Sequence, residues 1–160
     1  MATSHSGLRV LVAGGASDSH TWNLVFLQLL LEEGGHQVVN LGPCVPERLL
    51  TEQCRALDPD LLVIGSVNGH GYHDGERAAL ALRADPDLAG LPAVIGGKLG
   101  VSGEQDETRR ARLLDAGFDA VFDDGDLDAF LHFVDGLRSD STAGSRADSH
   151  ADGSARGAAA

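Results

Sequence analysis

Short aliphatic runs alternate along the chain with longer stretches whose apolar positions recur at helical spacing. Residues 8–13, 37–41, 61–66, 93–95 and 120–122 read as strands, and several are apolar throughout, as strands covered on both faces are. Helix-like segments of about ten to fourteen residues lie between and after them, near 21–33, 46–57, 75–84, 106–116 and 127–137. Gly34-Gly35 is placed to close the first helix, Pro46 suits the first turn of the second, and Gly117 can close the fourth. Strands separated by helices of this length require right-handed crossovers, hence a parallel sheet with helices on both faces. The expectation is a doubly wound, flavodoxin-like (Rossmann-like) α/β domain with five parallel strands in the order 2-1-3-4-5. The first helix, with Trp22, Leu24, Val25, Phe26, Leu27, Leu29, Leu30 and Leu31, is apolar nearly all round, and reads as core packed between the sheet and a neighbouring helix, with a part of it facing a pocket as the alternative. Beyond Leu137 the large apolar residues stop and Ser, Ala, Gly, Asp and Arg take over. The reading is one domain over residues 1–137 and a disordered tail over 138–160.

Composition narrows the partners. In 160 residues, 12 Lys+Arg against 24 Asp+Glu leave a net charge of −12, which disfavours nucleic acid and anionic membrane surfaces. Cys44 and Cys54 cannot form a disulfide framework and read as reduced core thiols, consistent with a cytoplasmic protein. The first residues carry neither the basic start nor the apolar run of a secretory leader, and no stretch approaches the roughly 18 apolar residues of a membrane span.

In an open parallel sheet, ligands bind beyond the C-terminal strand ends, where the strand order reverses. Those tips read Gly14-Gly15-Ala16-Ser17-Asp18-Ser19-His20, Gly65-Ser66-Val67-Asn68-Gly69-His70-Gly71 and Gly96-Gly97-Lys98-Leu99-Gly100. The first lacks the Gly-x-Gly-x-x-Gly of a dinucleotide site, and no Gly-x-x-x-x-Gly-Lys-Ser/Thr is present for a nucleoside triphosphate. A phosphoacceptor receiver would end its third strand on Asp and carry Lys after its fifth, where this chain has Gly65-Ser66 and Asp123-Asp124. Asp18 and His20 are two residues apart before a helix. A carboxylate so placed can fix one ring nitrogen of the imidazole and leave the other for a metal; by itself the pair reads more readily as a helix cap beside a surface histidine. His70 and His73 read as a polar loop, His36 and His132 as structural, and the Asp123-Asp124 and Asp126-Asp128 run as a solvated loop and helix cap.

Taken together, Asp18-Ser19-His20-Thr21-Trp22-Asn23, Gly35-His36-Gln37-Val38-Val39-Asn40-Leu41-Gly42, Val45-Pro46-Glu47, Gly69-His70-Gly71, Gly96-Gly97 and Ala116-Gly117-Phe118-Asp119 resemble the cobalamin-binding domain family with its Asp-x-His-x-x-Gly signature. Within it they resemble the small subunits of glutamate mutase (methylaspartate mutase), over about residues 8–134. The resemblance implies that His20 is the lower ligand of cobalt and Asp18 its partner. It implies that the displaced nucleotide tail lies between sheet and first helix near Ser17, Ser19 and Thr21, and that Gly65, Ser66, Val67, Gly96, Gly97, Lys98, Leu99 and Gly100 follow the cofactor. No catalytic residue beyond the cofactor ligand is implied in this chain. The implied cofactor is adenosylcobalamin, and the implied activity is the carbon-skeleton isomerisation of L-glutamate and threo-3-methylaspartate through radicals. The chain would be inactive alone, and a separate large subunit, in a heterotetramer, would supply the substrate site. A corrinoid carrier for methyl transfer and a non-catalytic cobalamin-binding regulator are the alternative functions. Three positions depart from the family pattern: Asn23 stands for the last glycine of the signature, Gly65 for a serine and Val67 for a leucine. Asn23 is expected to crowd the path of the tail.

Overall fold

The computed structural model describes residues 7–100, 106–123 and 125–148. Strands β1 (Arg9–Gly14), β2 (Gln37–Asn40), β3 (Leu61–Ser66), β4 (Ala93–Gly97) and β5 (Ala120–Asp123) alternate with helices α1 (Trp22–Glu33), α2 (Glu47–Leu57), α3 (Gly71–Ala84), α4 (Asp106–Ala116) and α5 (Leu127–Asp148). The sheet is parallel and its order is β2-β1-β3-β4-β5, the doubly wound arrangement expected from the sequence. Central β3 is buried at every position, whereas edge strand β2 alternates between exposed and half-buried, because only the middle of the sheet is covered on both faces.

Alternation along the strands sorts two cores. Leu11, Leu62, Ile64 and Ile95 face Leu50, Cys54, Leu82 and Leu113 of α2, α3 and α4. Val10, Val12, Val63 and Val94 face Leu24 and Leu31 of α1 and Phe130 and Val134 of α5. The second core is the thinner one, with two helices covering it, and this is the side on which the sheet leaves room for a cavity.

Helical boundaries differ from expectation in two places. α3 starts four residues early, at Gly71, because its glycines are packing contacts and not breakers: a Cβ at Gly71 would stand 2.7 Å from Leu99 Cδ2, and one at Gly75 would stand 2.6 Å from Ile95 Cδ1. α5 runs to Asp148, eleven residues past the boundary read at 137. Once a helix is anchored, each further turn costs little, no proline interrupts this stretch, and the Ser139 and Thr142 hydroxyls donate to carbonyls of the preceding turn. The irregular tail expected from 138 is therefore helical through 148, with Ser139–Ala143 exposed; the part of that expectation beyond 148 lies outside the described residues. Of the two thiols, Cys54 is in the core, where burial pushes its pKa up to about 11. Cys44 is exposed, contrary to the core position read for both.

Candidate functional site

The loop between β1 and α1 is organised by a buried carboxylate. Asp18 is 1% exposed. Its Oδ1 accepts the His20 backbone N–H at 3.0 Å and lies 2.7 Å from His20 Nδ1. Its Oδ2 accepts the Val67 N–H at 2.7 Å, the Asn68 N–H at 3.2 Å and the Ser66 hydroxyl at 3.2 Å. Burial alone would raise its pKa, but the hydrogen bonds from Val67, His20 and Ser66 outweigh burial and hold the carboxyl below its ordinary range. An ionised carboxylate only accepts, so the hydrogen bond puts a proton on His20 Nδ1, and Nε2 is the ring atom left to face a metal. The His20 side chain is half-exposed. A helix cap, the alternative use of Asp18, does not occur: α1 begins at Trp22, and its N-cap residue is Thr21, with no side-chain cap.

A second layer holds this loop against the β3–α3 loop. Buried Asp74, on α3, accepts the Ser17 N–H at 2.9 Å and the Ser17 hydroxyl at 2.6 Å. Asn68 donates to the Ser17 carbonyl at 3.0 Å and accepts the His70 N–H at 2.9 Å. The tips of β1 and β3 are thus tied together by carboxylates that no local spacing announces, since Ser17 and Asp74 are 57 residues apart.

Beside the loop, between α1 and α5, a cavity of about 190 Å³ opens over the ends of β3 and β4. Gly65, Gly96 and Gly97 form its floor; Phe26, Leu27 and Phe130 are among its walls. Phe122 joins the wall and meets Phe130 edge-on with centroids 5.6 Å apart. Gly97 has φ +107°, and a Cβ there would stand 2.1 Å from the Ser66 carbonyl oxygen, so only glycine fits where the two loops converge.

The structure brings Asp18, His20, Ser66 and Val67 into one cluster, ties Ser17 beside them, and places Gly65, Gly96 and Gly97 in the cavity. Ser19 and Thr21 are exposed on the loop, and Lys98 is exposed after β4. The Leu99 side chain is fully buried in the core under α3 and does not reach the cavity, and a Cβ at Gly100 would stand 2.8 Å from the Tyr72 ring. The reading of α1 as core is corrected. Trp22 is 65% and Leu29 60% exposed, Val25 and Phe26 are exposed too, and Trp22, Phe26 and Leu27 line the cavity. Their unbroken apolar pattern was the available signal, and it fits a helix with one face on the sheet and another on an apolar cavity.

Of the remaining histidines and acids, His36 and Asp126 keep the structural and capping places read for them, whereas His132, His73 and Asp123 do not. His36 is buried and its Nδ1 accepts the Leu8 N–H at 3.0 Å; His132 is exposed. His70 is the N-cap residue of α3 and His73 is exposed on its first turn. Asp126 caps α5 by accepting the Ala129 N–H at 3.1 Å; Asp123 instead accepts the Tyr72 hydroxyl at 2.8 Å, and Asp124 lies outside the described residues.

Fold and site together define a flavodoxin-like α/β domain that presents a carboxylate-oriented histidine beside an apolar cavity at its strand tips. A solved structure titled a novel cobalamin-binding protein, from Desulfitobacterium hafniense, has the same fold with TM-score 0.61 and 20% identity over 85% of this chain; the chain spans 58% of that structure. In sequence the chain is 30% identical to glutamate mutase sigma subunit 1 of Haloarcula marismortui over 109 residues, 67% of this chain and 70% of that one. It is 28% identical to the glutamate mutase sigma subunit of Fusobacterium nucleatum over 120 residues, 73% of this chain and 85% of that one. No family model matches. The chain belongs to the glutamate mutase sigma subunit family.

Proposed function

We propose that the chain is the cobalamin-binding small subunit of an adenosylcobalamin-dependent glutamate mutase, working with a separate large subunit that holds the substrate. The observation that carries the reading is the buried, ionised Asp18 fixing Nδ1 of His20 at the tip of β1. A carboxylate bonded to one ring nitrogen orients an imidazole ligand and raises the basicity of the other nitrogen toward a metal. The apolar cavity with its glycine floor fits the flat, apolar base of a nucleotide tail, since it offers an area of wall and almost no fixed hydrogen-bonding groups.

In this reading His20 would hold cobalt through the ring nitrogen that Asp18 leaves free, and Asp18 would keep the ring in one tautomer. The backbone amides of Val67 and Asn68 keep Asp18 ionised. Bound adenosylcobalamin supplies the radical chemistry, as cofactors generally supply the hard step. The chain offers little to a dicarboxylate substrate. Lys98 is its single lysine, and it stands exposed after β4, whereas an anionic substrate needs several converging donors. Those donors belong to the partner subunit. Among the described residues no helix is long and apolar enough to cross a membrane.

The test is electron-spin resonance of the cobalt(II) cofactor bound to protein carrying nitrogen-15 histidine. The nitrogen coupling should change with the label and vanish in His20→Ala; coupling indifferent to both would remove His20 as ligand. With a glutamate mutase large subunit and adenosylcobalamin, 3-methylaspartate should be converted to glutamate, and each protein alone should be silent. Turnover by this chain alone would overturn the two-subunit reading. Methyl transfer from methylcobalamin with no radical signal would favour a corrinoid carrier.

A further inference from the structure

Neither the sheet nor the cavity accounts for the outer face of α1. Trp22, Val25, Phe26 and Leu29 are 47–65% exposed. Their spacing of i, i+3, i+4 and i+7 sets them in one stripe on the side of the helix opposite buried Leu24 and Leu31. The cavity takes up part of Trp22 and Phe26 and none of Val25 or Leu29. The other exposed large apolar side chains among the described residues are spread over β2, α2, α3, α4 and α5. Scattered residues of that kind are ordinary, whereas a contiguous stripe marks a surface that meets something. The charges of α1 narrow what it meets. No charged residue occurs from Trp22 to Leu31, Glu32 and Glu33 close the helix, and the first turn has no acid and the last turn no base. Neither end of the helix dipole is therefore answered within α1. Glu33 is exposed and, eleven positions after Trp22, falls on the same stripe about 16 Å away. A second α1 laid antiparallel on the stripe answers both ends. Setting Phe26 against Leu29 of the copy brings Trp22 opposite its Glu33, because both pairs share one midpoint, and each helix N-terminus then receives a carboxylate. Other occupants fit less well. Residues 149–160 hold no large apolar side chain, and a partner seated on the strand tips would meet Trp22 but not Leu29, about 10 Å further along the helix. The net charge of −12 opposes contact between copies through acidic faces, and that opposition is least on a stripe without charge.

We propose that the outer face of α1 is a self-association surface, on which two copies of this chain pack α1 against α1 in antiparallel, two-fold register, with Phe26 against Leu29 and Glu33 against the opposing helix N-terminus. The inference does not depend on the cobalamin reading. A two-fold interface repeats every contact, so a substitution at one position acts twice. The apolar stripe is on the order of a few hundred Å² per copy, at the small end of specific interfaces, and the dimer is accordingly a reversible one that forms at micromolar concentrations.

The experiment uses the full chain without ligand, in sedimentation equilibrium from about 1 to about 500 µM, alongside the fluorescence of Trp22, the single tryptophan. The parent should pass from monomer to dimer over this range while the Trp22 emission moves to shorter wavelength, because an exposed ring leaves water. Leu29→Glu changes a side chain that is exposed in the single chain, so its melting temperature in dilute solution should match the parent's. Its dimer should be about 100-fold weaker, with two carboxylates buried against apolar groups, and its Trp22 emission should stay at the monomer value. Glu33→Lys should weaken the dimer about five-fold by setting a cation at the opposing helix N-terminus. Tighter association of Glu33→Lys would place Glu33 beside Glu33 in a parallel pair and overturns the antiparallel arrangement. A parent that remains monomeric throughout the range overturns the proposal. A dimer that survives Leu29→Glu, or that forms without a change in Trp22 emission, uses another face and overturns it as well. Trp22 emission that shifts only when a glutamate mutase large subunit is added, and not in Leu29→Glu, overturns it in favour of that partner.

Discussion

Asp18 and Asn23 are five residues apart, both polar, both buried, and in opposite states. Every lone pair that Asp18 can use is engaged by the backbone of two loops, a hydroxyl and an imidazole. The Asn23 Oδ1 has no partner. A buried polar group whose partners are all within the protein holds architecture; one without partners carries a cost. The contrast separates a preformed loop, which sets the direction of His20, from a helix turn at the cavity wall that is packed by shape and not by hydrogen bonds.

The largest effect should come from dismantling the satisfied member. Asp18→Ala leaves the Val67, Asn68 and His20 N–H groups without their acceptor and should lower unfolding free energy by about 3 kcal/mol, read from urea denaturation. A loss below about 1 kcal/mol would show that water replaces the carboxylate and that the loop is not organised by it.

The ionisation of Asp18 predicts how acid separates the two regions. Its folded-state pKa is depressed, so its stabilisation is complete above the unfolded value of about 3.9 and is lost as pH falls through the lower folded value. Between pH 5 and pH 2 the melting temperature of the parent should therefore fall more steeply than that of Asp18→Asn. Parallel curves would mean that the carboxyl is not held ionised.

Gly65→Ser sharpens the other side of the comparison. The added Cβ meets Asn23 and two leucines at 3.1–3.3 Å, and the variant should lose about 1–2 kcal/mol by overpacking. Combining it with Asn23→Gly should recover part of that loss, because the two positions share the same space. Strict additivity in a double-mutant cycle would show that they do not interact.

A smaller effect should appear near neutrality, away from both sites. Burial lowers the His36 pKa, with Arg138 adding to the effect and Asp135 opposing it, and the neutral Nδ1 accepts the Leu8 N–H. Its contribution is complete above the unfolded value of about 6.5 and is lost as pH falls through the depressed folded value. The melting temperature should thus decline from pH 7 to pH 5 in the parent and decline less in His36→Gln. The smallest effect is expected from ending the chain after Ala143: Ser139–Ala143, the positions just before the cut, are already exposed, so neither melting temperature nor corrinoid affinity should move measurably, and a drop in either would mean that the end of α5 docks.

Local pattern was enough for much of this molecule. The five strands and the start of α1 are legible because alternation, continuous apolar runs and turn residues act over a few neighbours, and their sequence implied the strand order that the sheet adopts. The Asp18-Ser19-His20 triplet was visible for the same reason, its members being adjacent. What the triplet does was not legible locally. Whether Asp18 caps a helix or orients a ring depends on the tip of β3 arriving with two free N–H groups, which is a property of the assembled sheet. α3 hides its first turn behind glycines that look like breakers until Ile95 and Leu99 stand against them. The apolar residues of α1 could not be divided between core and cavity without knowing how far α5 stands from α1. Asn23 and Gly65 are 42 positions apart, and each looked like an isolated departure. The sequence determined the elements, their order and the position of His20, because those depend on short-range preferences; only the tertiary structure decided which buried polar groups are satisfied, because hydrogen-bond partners and space come from segments far along the chain.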